Sequence, residues 1–108
     1  MNWIPLHSEA QLDSIKEQSH TRPVVIFKHS TRCSISTMAK SRLERAEAPE
    51  SIDFYYLDLL AYRPVSAKVA EVFSVHHESP QVLLIKNGEC TYEETHNGIS
   101  MDELVENA

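Results

Sequence analysis

Long apolar runs and a basic leader are both missing from this sequence. The first residues, Met1 to Pro5, carry neither the positive charge nor the apolar stretch of a secretion signal. No later stretch reaches the eighteen or so apolar residues that are needed to span a bilayer. We therefore expect a cytoplasmic protein that does not enter a membrane.

Clustered positive charge is missing as well. The chain has 10 Lys and Arg residues against 16 Asp and Glu residues, which gives a formal net charge of -6. Because binding to nucleic acid depends on a patch of basic side chains, this composition argues against such a partner. We expect neither nucleic acid nor a membrane surface to be bound.

Cysteine is scarce, with only Cys33 and Cys90. In a reducing compartment a cysteine tends to be reactive, metal-bound or simply buried. The six histidines form no Cys-x-x-Cys or His-Glu-x-x-His ligand pattern, so we expect no metal site and no bound cofactor. What each cysteine does must therefore be judged from its local setting.

Internal repeats, low-complexity segments and Pro/Gly/Ser linkers are also missing. The length of 108 residues and the hydrophobic content of 42% suffice for one modest core. We therefore expect a single domain over residues 1–108, and the order of its elements is the main clue to its architecture.

The beginning of the chain predicts a helix followed by a buried strand. A short apolar start, Trp3 to Leu6, precedes a capping box at Ser8-Glu9-Ala10-Gln11 and a helix that runs to about His20. Val24-Val25-Ile26-Phe27 is a continuous β-branched and aromatic run, typical of a strand that is covered on both faces. This run is the best candidate for a central strand.

A cysteine follows that strand at the predicted start of a second helix. After a polar turn from His29 to Arg32, apolar residues recur at helical spacing from near Cys33 to a stop before Pro49. Strand, short turn, cysteine and helix therefore follow one another directly.

The second half of the chain continues the alternation and then changes to a hairpin. Phe54 to Leu57 predicts a strand, and a helix with Pro64 in its first turn follows it. Gln81 to Lys86 and Glu89 to Thr95 predict two antiparallel strands joined by a two-residue turn at Asn87-Gly88. A capping box at Ser100-Met101-Asp102-Glu103 opens a last helix.

The predicted order of elements is β-α-β-α-β-α-β-β-α. Since parallel strands are joined by right-handed crossovers, few windings of this order remain. The order predicts a thioredoxin-like α/β fold, in which a central mixed sheet is flanked by helices.

The setting of Cys33 is that of a working nucleophile. The thiolate is the reactive form, so the pKa of such a cysteine must fall from about 8.5 toward neutral. A helix N-terminus favours an anion, Arg32 adds a positive charge, and Ser34 and Ser36 carry hydroxyls that could donate hydrogen bonds. The alternative is an inert buried cysteine, but the polar residues around Cys33 are unusual for a core position.

His29 is a further candidate for tuning the Cys33 thiolate across the turn. The competing interpretation is an ordinary surface histidine with no effect on the sulfur. The sequence leaves both open.

Ser36 stands where a dithiol protein would have its second cysteine. Without a local resolving thiol, Cys33 would take a small thiol from a mixed disulfide and wait for another thiol to remove it. The position of Cys90 in a strand just after the hairpin turn favours a residue with no redox role. A remote resolving role would require the Cα atoms of Cys33 and Cys90 to lie within about 7 Å of each other.

Ser79-Pro80 and Gly98 are candidate binding elements. A proline directly before a buried strand is tolerated at the strand start, and its peptide bond could be cis or trans. Asn97 and Gly98, before the last helix, would allow a positive φ or a close backbone approach, which could serve a ligand or merely the turn.

The chain resembles the monothiol bacilliredoxin (YtxJ-like, bacillithiol-system) family, a branch of the thioredoxin-like proteins. The resemblance covers nearly the whole chain and rests on blocks in the same order and spacing. These blocks are Phe27-Lys28-His29-Ser30-Thr31-Arg32-Cys33-Ser34-Ile35-Ser36, His77-Glu78-Ser79-Pro80-Gln81-Val82-Leu83-Leu84-Ile85, and His96 followed by Ile99.

The resemblance implies a redoxin that removes bacillithiol, as co-substrate, from S-thiolated proteins, with Cys33 as the attacking cysteine. It also implies that Pro80 is cis and faces Cys33, so that the backbone of Ser79 pairs with the bound thiol or substrate. Two departures matter: Ser34 replaces a proline that is common in the family motif, and Phe27 replaces the buried carboxylate of dithiol thioredoxins.

We therefore predict a thiol-disulfide oxidoreductase that acts on mixed disulfides between proteins and a low-molecular-weight thiol, bacillithiol being favoured. The alternative from another class is a non-catalytic thioredoxin-fold module that binds proteins on its Pro80 face. Iron-sulfur carriage, as in monothiol glutaredoxins, is disfavoured because Ser34-Ile35 replaces the glycine-phenylalanine pair that follows the cysteine there.

Overall fold

The computed structural model describes residues 1–108, and strands and helices alternate in the predicted order. The five strands are Ile4–Pro5 (β1), Val24–His29 (β2), Asp53–Asp58 (β3), Gln81–Lys86 (β4) and Glu89–Thr95 (β5). The four helices are Ala10–Gln18 (α1), Ser34–Arg45 (α2), Arg63–Val72 (α3) and Met101–Asn107 (α4), with a 3-10 turn at His96–Gly98.

The strands form one mixed sheet in the order β1-β3-β2-β4-β5. β1, β3 and β2 run parallel to one another, while β4 is antiparallel to β2 and β5 is antiparallel to β4. The central position of β2 and the mixed sheet confirm the predicted α/β class. Because β2 is central, the segment that leaves its carboxyl end is held on both sides.

The core lies on both faces of this sheet, because side chains alternate along each strand. Val24 and Ile26 of β2 pack with α1 and α3, whereas Val25 and Phe27 pack with α2 and α4. β2 is buried at every position, which explains its continuous apolar sequence. Both faces of the strand that leads to Cys33 are thus packed.

Two predicted ends of elements differ from the structure. β2 continues through Lys28 and His29, both buried, although the sequence places His29 in a polar turn. The capping box of α1 is only half formed, since the Gln11 side chain accepts from the Ser8 N–H group at 3.0 Å but Glu9 is the N-cap and its side chain makes no cap. Tertiary packing of β2 against two helix layers outweighs the polarity of its last two residues.

The hairpin and the last helix follow the sequence prediction. Asn87 and Gly88 have φ angles of 53° and 79°, as a type I′ turn requires. Ser100 caps α4 by accepting a hydrogen bond from the Glu103 N–H group at 3.2 Å. None of the four helices has the length and apolar character that crossing a bilayer would require.

Candidate active site

Cys33 is the N-cap residue of α2, at the carboxyl end of the central strand. Its backbone is extended, with φ -108° and ψ 121°, while its carbonyl already accepts from the Thr37 N–H group at 3.0 Å. The Cys33 N–H group donates to the Ser30 carbonyl at 3.2 Å, which closes the turn. The thiol is free and half-buried, next to backbone N–H groups of the first helical turn that have no partner inside the helix. The sulfur therefore lies at the positive end of the α2 helix dipole.

Ser36 and His29 form a buried pair beneath that turn. The Ser36 hydroxyl is fully buried, accepts from the Ser30 N–H group at 3.0 Å and lies 2.7 Å from His29 Nδ1. The Ser36 hydroxyl therefore bonds both the Ser30 N–H group and the His29 ring. Ser36 fixes the turn that carries Cys33 and ties that turn to the last residue of β2.

His29 is 4% exposed, so its interpretation as a surface histidine was wrong. Burial lowers the pKa of His29, and the positive charge of Lys40 lowers it further. The imidazole is consequently neutral at physiological pH and acts as a hydrogen-bonding partner of Ser36. A tuning effect of His29 on Cys33 stays a prediction.

Arg32 and Ser34, the other predicted tuning residues, flank Cys33 on the surface. Both side chains are exposed, and Arg32 forms no ion pair with a carboxylate. An effect of either residue on the Cys33 thiolate stays a prediction.

Phe27 fills the place of the buried carboxylate that dithiol thioredoxins use. Its ring is fully buried and stacks on Trp3 at 5.5 Å and on His29 at 5.7 Å between ring centroids. None of the buried residues is an Asp or a Glu. The site therefore has no buried acid to relay a proton from a second thiol.

Pro80 follows a cis peptide bond, which confirms the isomer that the family resemblance implied. β2 and β4 pair with Lys28 opposite Gln81, so continuing this register places Pro80 beside His29 and Ser79 beside Ser30. The Ser79 hydroxyl is buried and has no hydrogen-bond partner. Pro80 is thus brought to the turn that carries Cys33.

The turn at His96–Gly98 closes the site from the other side. His96, and neither Asn97 nor Gly98, takes the positive φ of 53°. A Cβ atom on Gly98 would lie 2.4 Å from the Glu94 side chain. The space beside Gly98 is therefore occupied by Glu94 of the same chain. Binding of a ligand at Gly98 stays a prediction.

Arg42 is a structural residue of the site that sequence reasoning missed. From α2 it donates to the His96 carbonyl at 2.9 Å and to the Ile99 carbonyl at 3.2 and 3.3 Å. These bonds tie the cysteine-bearing helix to the turn beside Pro80. An arginine in the middle of a helix gives no sequence signal of such a partner.

Cys90 lies at the opposite end of the sheet. It pairs with Ile85, which pairs with Val24 at the start of β2, whereas Cys33 follows the last residue of that strand. Five residue steps of strand separate Val24 from His29, about 16 Å. This separation is too large for a disulfide with Cys33. Burial raises the pKa of Cys90, which keeps it a thiol.

The six histidines are not joined into a metal site in the structure. No group of three or more His, Cys, Asp or Glu side chains is placed to share an ion. The His29 ring is bonded to the Ser36 hydroxyl, and the backbone N–H group of His96 donates to the Pro80 carbonyl at 3.1 Å.

A mixed sheet with a cysteine at a helix N-cap and a cis proline beside it defines a thioredoxin-fold thiol protein. Known structures agree with this class. One solved structure, described as a proposed oxidoreductase with a thioredoxin fold, is 31% identical to this chain. Its TM-score is 0.80, over 96% of this chain and 91% of that one.

More distant thioredoxins share the fold alone. The thioredoxin of Malassezia sympodialis is 17% identical with a TM-score of 0.78, over 98% of this chain and 90% of that one. The thioredoxin of Fasciola hepatica is also 17% identical, with a TM-score of 0.77 over 96% and 98% of the two chains.

The family is narrower than the fold. The family model described as monothiol bacilliredoxin BrxC matches residues 4–104. The chain belongs to the monothiol bacilliredoxin family, and a thiol redox function follows from that membership and from the fold.

Proposed function

We propose that this protein removes a low-molecular-weight thiol, bacillithiol, from mixed disulfides on other proteins, using Cys33 as its one reacting thiol. The observation that carries the proposal is the solitary position of Cys33. Ser36 occupies the usual resolving position and is engaged by His29 and Ser30, while Cys90 lies about 16 Å along the sheet. Membership of the bacilliredoxin family supports bacillithiol as the thiol.

The reaction is a single thiol-disulfide exchange. The Cys33 thiolate attacks the bacillithiol sulfur of the mixed disulfide, a new S–S bond forms between them, and the old S–S bond breaks. The electron pair of the broken bond leaves on the sulfur of the substrate protein, which then takes a proton from solvent. A second low-molecular-weight thiol attacks the bacillithiol sulfur on Cys33 in the same way and restores the Cys33 thiol.

The substrate is proposed to dock along Ser79 and Pro80. The cis bond leaves these residues beside the cysteine turn, where the backbone of Ser79 can pair with an extended peptide-like group. Gly98 is proposed to line the same docking edge. The proposed compartment is the cytoplasm, where reduced low-molecular-weight thiols would complete the cycle.

Intact mass spectrometry tests the proposal. After incubation with an S-bacillithiolated protein, the wild-type chain and Cys90→Ser should each gain the mass of one bacillithiol, mapped to residue 33. Cys33→Ser should gain nothing and leave the substrate blocked. An unmodified Cys33 beside a blocked substrate would contradict the proposal and favour a non-catalytic binding module.

The choice of thiol needs its own comparison. The substrate protein is prepared with either bacillithiol or glutathione on the same cysteine. The rate at which Cys33 removes bacillithiol should exceed the rate at which it removes glutathione. Equal rates, or a faster release from glutathione, would leave the exchange reaction intact and refute bacillithiol as the preferred thiol.

A further inference from the structure

Lys28 is a buried cation without an acidic partner. Its side chain is fully buried on the face of the sheet that packs against α3. Nζ donates to the Ser66 carbonyl at 3.3 Å and lies 3.1 Å from His77 Nδ1, and no carboxylate lies within 4 Å of it. Lysines are almost never fully buried unless they are paired, so this charge lacks its expected counterpart.

The two partners of Lys28 line a cavity with a basic character. The cavity holds about 270 Å³ and is lined by Leu59, Arg63, Ser66, Ala67 and His77. Its polar side chains are a guanidinium, a hydroxyl and an imidazole, and none of its lining residues is acidic. In a chain with a net charge of -6, such a cavity is suited to an anion.

The loop that carries His77 is fixed from the sheet. The Gln81 side chain is fully buried, donates to the His76 carbonyl at 3.1 Å and accepts from the Glu78 N–H group at 3.3 Å. These bonds hold His77 over Lys28. The basic cavity is therefore a built feature of the fold and not a chance approach of mobile side chains.

The cavity opens at the end of the sheet that carries Cys33. Leu59, in its wall, donates its N–H group to the His29 carbonyl at 3.1 Å. His29 precedes Cys33 by four residues, a chain length that spans at most about 14 Å. Cys33 and the Leu59 wall of the cavity therefore lie at the same end of the sheet.

We propose that this cavity binds a carboxylate of the low-molecular-weight thiol while its sulfur is exchanged at Cys33. The inference rests on the proposed function and adds a specificity site to it. Arg63 and the Ser66 hydroxyl supply hydrogen bonds to the carboxylate, whose negative charge is the counterpart that the buried Lys28 lacks. Bacillithiol and glutathione both carry carboxylates, so the cavity selects charged thiols over uncharged ones.

Removing Arg63 tests the site with little risk to folding. Arg63 is exposed in the first turn of α3, where loss of a positive charge is favourable to the helix. The readout is a ratio of two rates at Cys33, with a glutathione mixed disulfide and with the uncharged 2,2′-dithiodipyridine. In Arg63→Ala this ratio should fall roughly tenfold, the loss expected for one charge-assisted contact.

Lys68→Ala is the matched control, since it removes one positive charge from the same helix outside the cavity. Its ratio should equal that of the wild type. If Arg63→Ala and Lys68→Ala give the same ratio, the proposal is overturned. A Cys33 that reacts with 2,2′-dithiodipyridine but with no mixed disulfide would refute the proposed function instead.

Direct binding gives a second readout that does not depend on exchange. Sodium succinate, added at constant ionic strength against sodium chloride, should shift the NMR signals of the His77 ring in the wild type and in Lys68→Ala. Arg63→Ala should lose the shift. Succinate shifts that persist unchanged in Arg63→Ala, or that are absent from the wild type, would refute carboxylate binding in this cavity.

Discussion

Ser36 illustrates how one side chain separates this site from a dithiol one. In place of a second thiol it supplies a hydroxyl that serves the Ser30 N–H group and His29 Nδ1 together. The residue type could be read from the sequence, and so could the loss of dithiol chemistry. Its partners could not, because His29 belongs to another element and its burial depends on tertiary packing.

Ser36→Ala should lower the free energy of unfolding by about 1–3 kcal/mol, because the Ser30 N–H group and the His29 ring lose their partner in a buried place. Urea unfolding measures the change. Ser34→Ala, two residues earlier and exposed, should lie within about 0.5 kcal/mol of the wild type. Equal stabilities of the two variants would contradict the assigned network.

Lys28 links burial to a pH-dependent stability. Burial lowers the pKa of Lys28 from 10.5 to about 8. Between these two pH values the unfolded chain binds a proton that the folded chain has released, so the free energy of unfolding rises with pH across that window. The lowering of the Lys28 pKa from 10.5 to about 8 corresponds to a gain of about 3 kcal/mol in the free energy of unfolding across that window.

Lys28→Met should remove this dependence, because a thioether of similar length fits an apolar place and carries no charge. At pH 7 the variant should exceed the wild type in unfolding free energy by up to about 3 kcal/mol, and the difference should shrink as the pH approaches 10.5. Urea unfolding at several pH values measures it, with the exposed Lys68→Met as control. A Lys28→Met curve parallel to the wild type would contradict the buried charge.

At the scale of elements, local sequence patterns predicted the helices, strands and turns, but contacts between distant parts of the chain could not be predicted from them. The hairpin at Asn87-Gly88 and the cap at Ser100 were predicted because their signals lie within a few residues of chain. The last two residues of β2 were missed because their burial depends on the two helix layers that tertiary folding places over the sheet. Local signals such as turns and caps can be predicted from one sequence, whereas packing partners cannot.

The position of α2 shows the same limit. Its start at Cys33 was predicted from helical spacing, yet its anchor is the set of bonds from Arg42 to the backbone of His96 and Ile99. Such an anchor fixes the distance between the cysteine turn and the turn at His96–Gly98. No periodic pattern reports a contact across more than 50 residues.

Arg42→Ala should lower the free energy of unfolding by about 1.5–3 kcal/mol, since charge-assisted hydrogen bonds to carbonyls are lost. Arg45→Ala removes the same charge one turn later and should cost less than about 0.5 kcal/mol. Chemical denaturation of both variants measures the difference. An equal cost for the two would show that the anchor contributes no stability.

At the scale of the whole molecule, the sheet separates the two thiols. Cys33 follows the carboxyl end of β2, and Cys90 pairs near its beginning through β4. The sequence left the resolving role of Cys90 open because only the register of three strands settles the distance. With that register, the two thiols lie at opposite ends of the sheet.

Treatment with the thiol oxidant diamide should accordingly leave the chain without an internal disulfide. Mass spectrometry of the alkylated, non-reduced monomer should find no disulfide between Cys33 and Cys90. Each cysteine should be either alkylated or blocked separately. A bridge between Cys33 and Cys90 in the native monomer would contradict the strand register.

The most direct test of the central claim is a single-turnover stoichiometry with Cys90→Ser, in which Cys33 is the only thiol. Mixed with one equivalent of S-bacillithiolated protein and quenched in acid, each chain should gain one bacillithiol for each substrate thiol released. A covalent complex between Cys33 and the substrate protein, or substrate release without an adduct on Cys33, would contradict the monothiol mechanism.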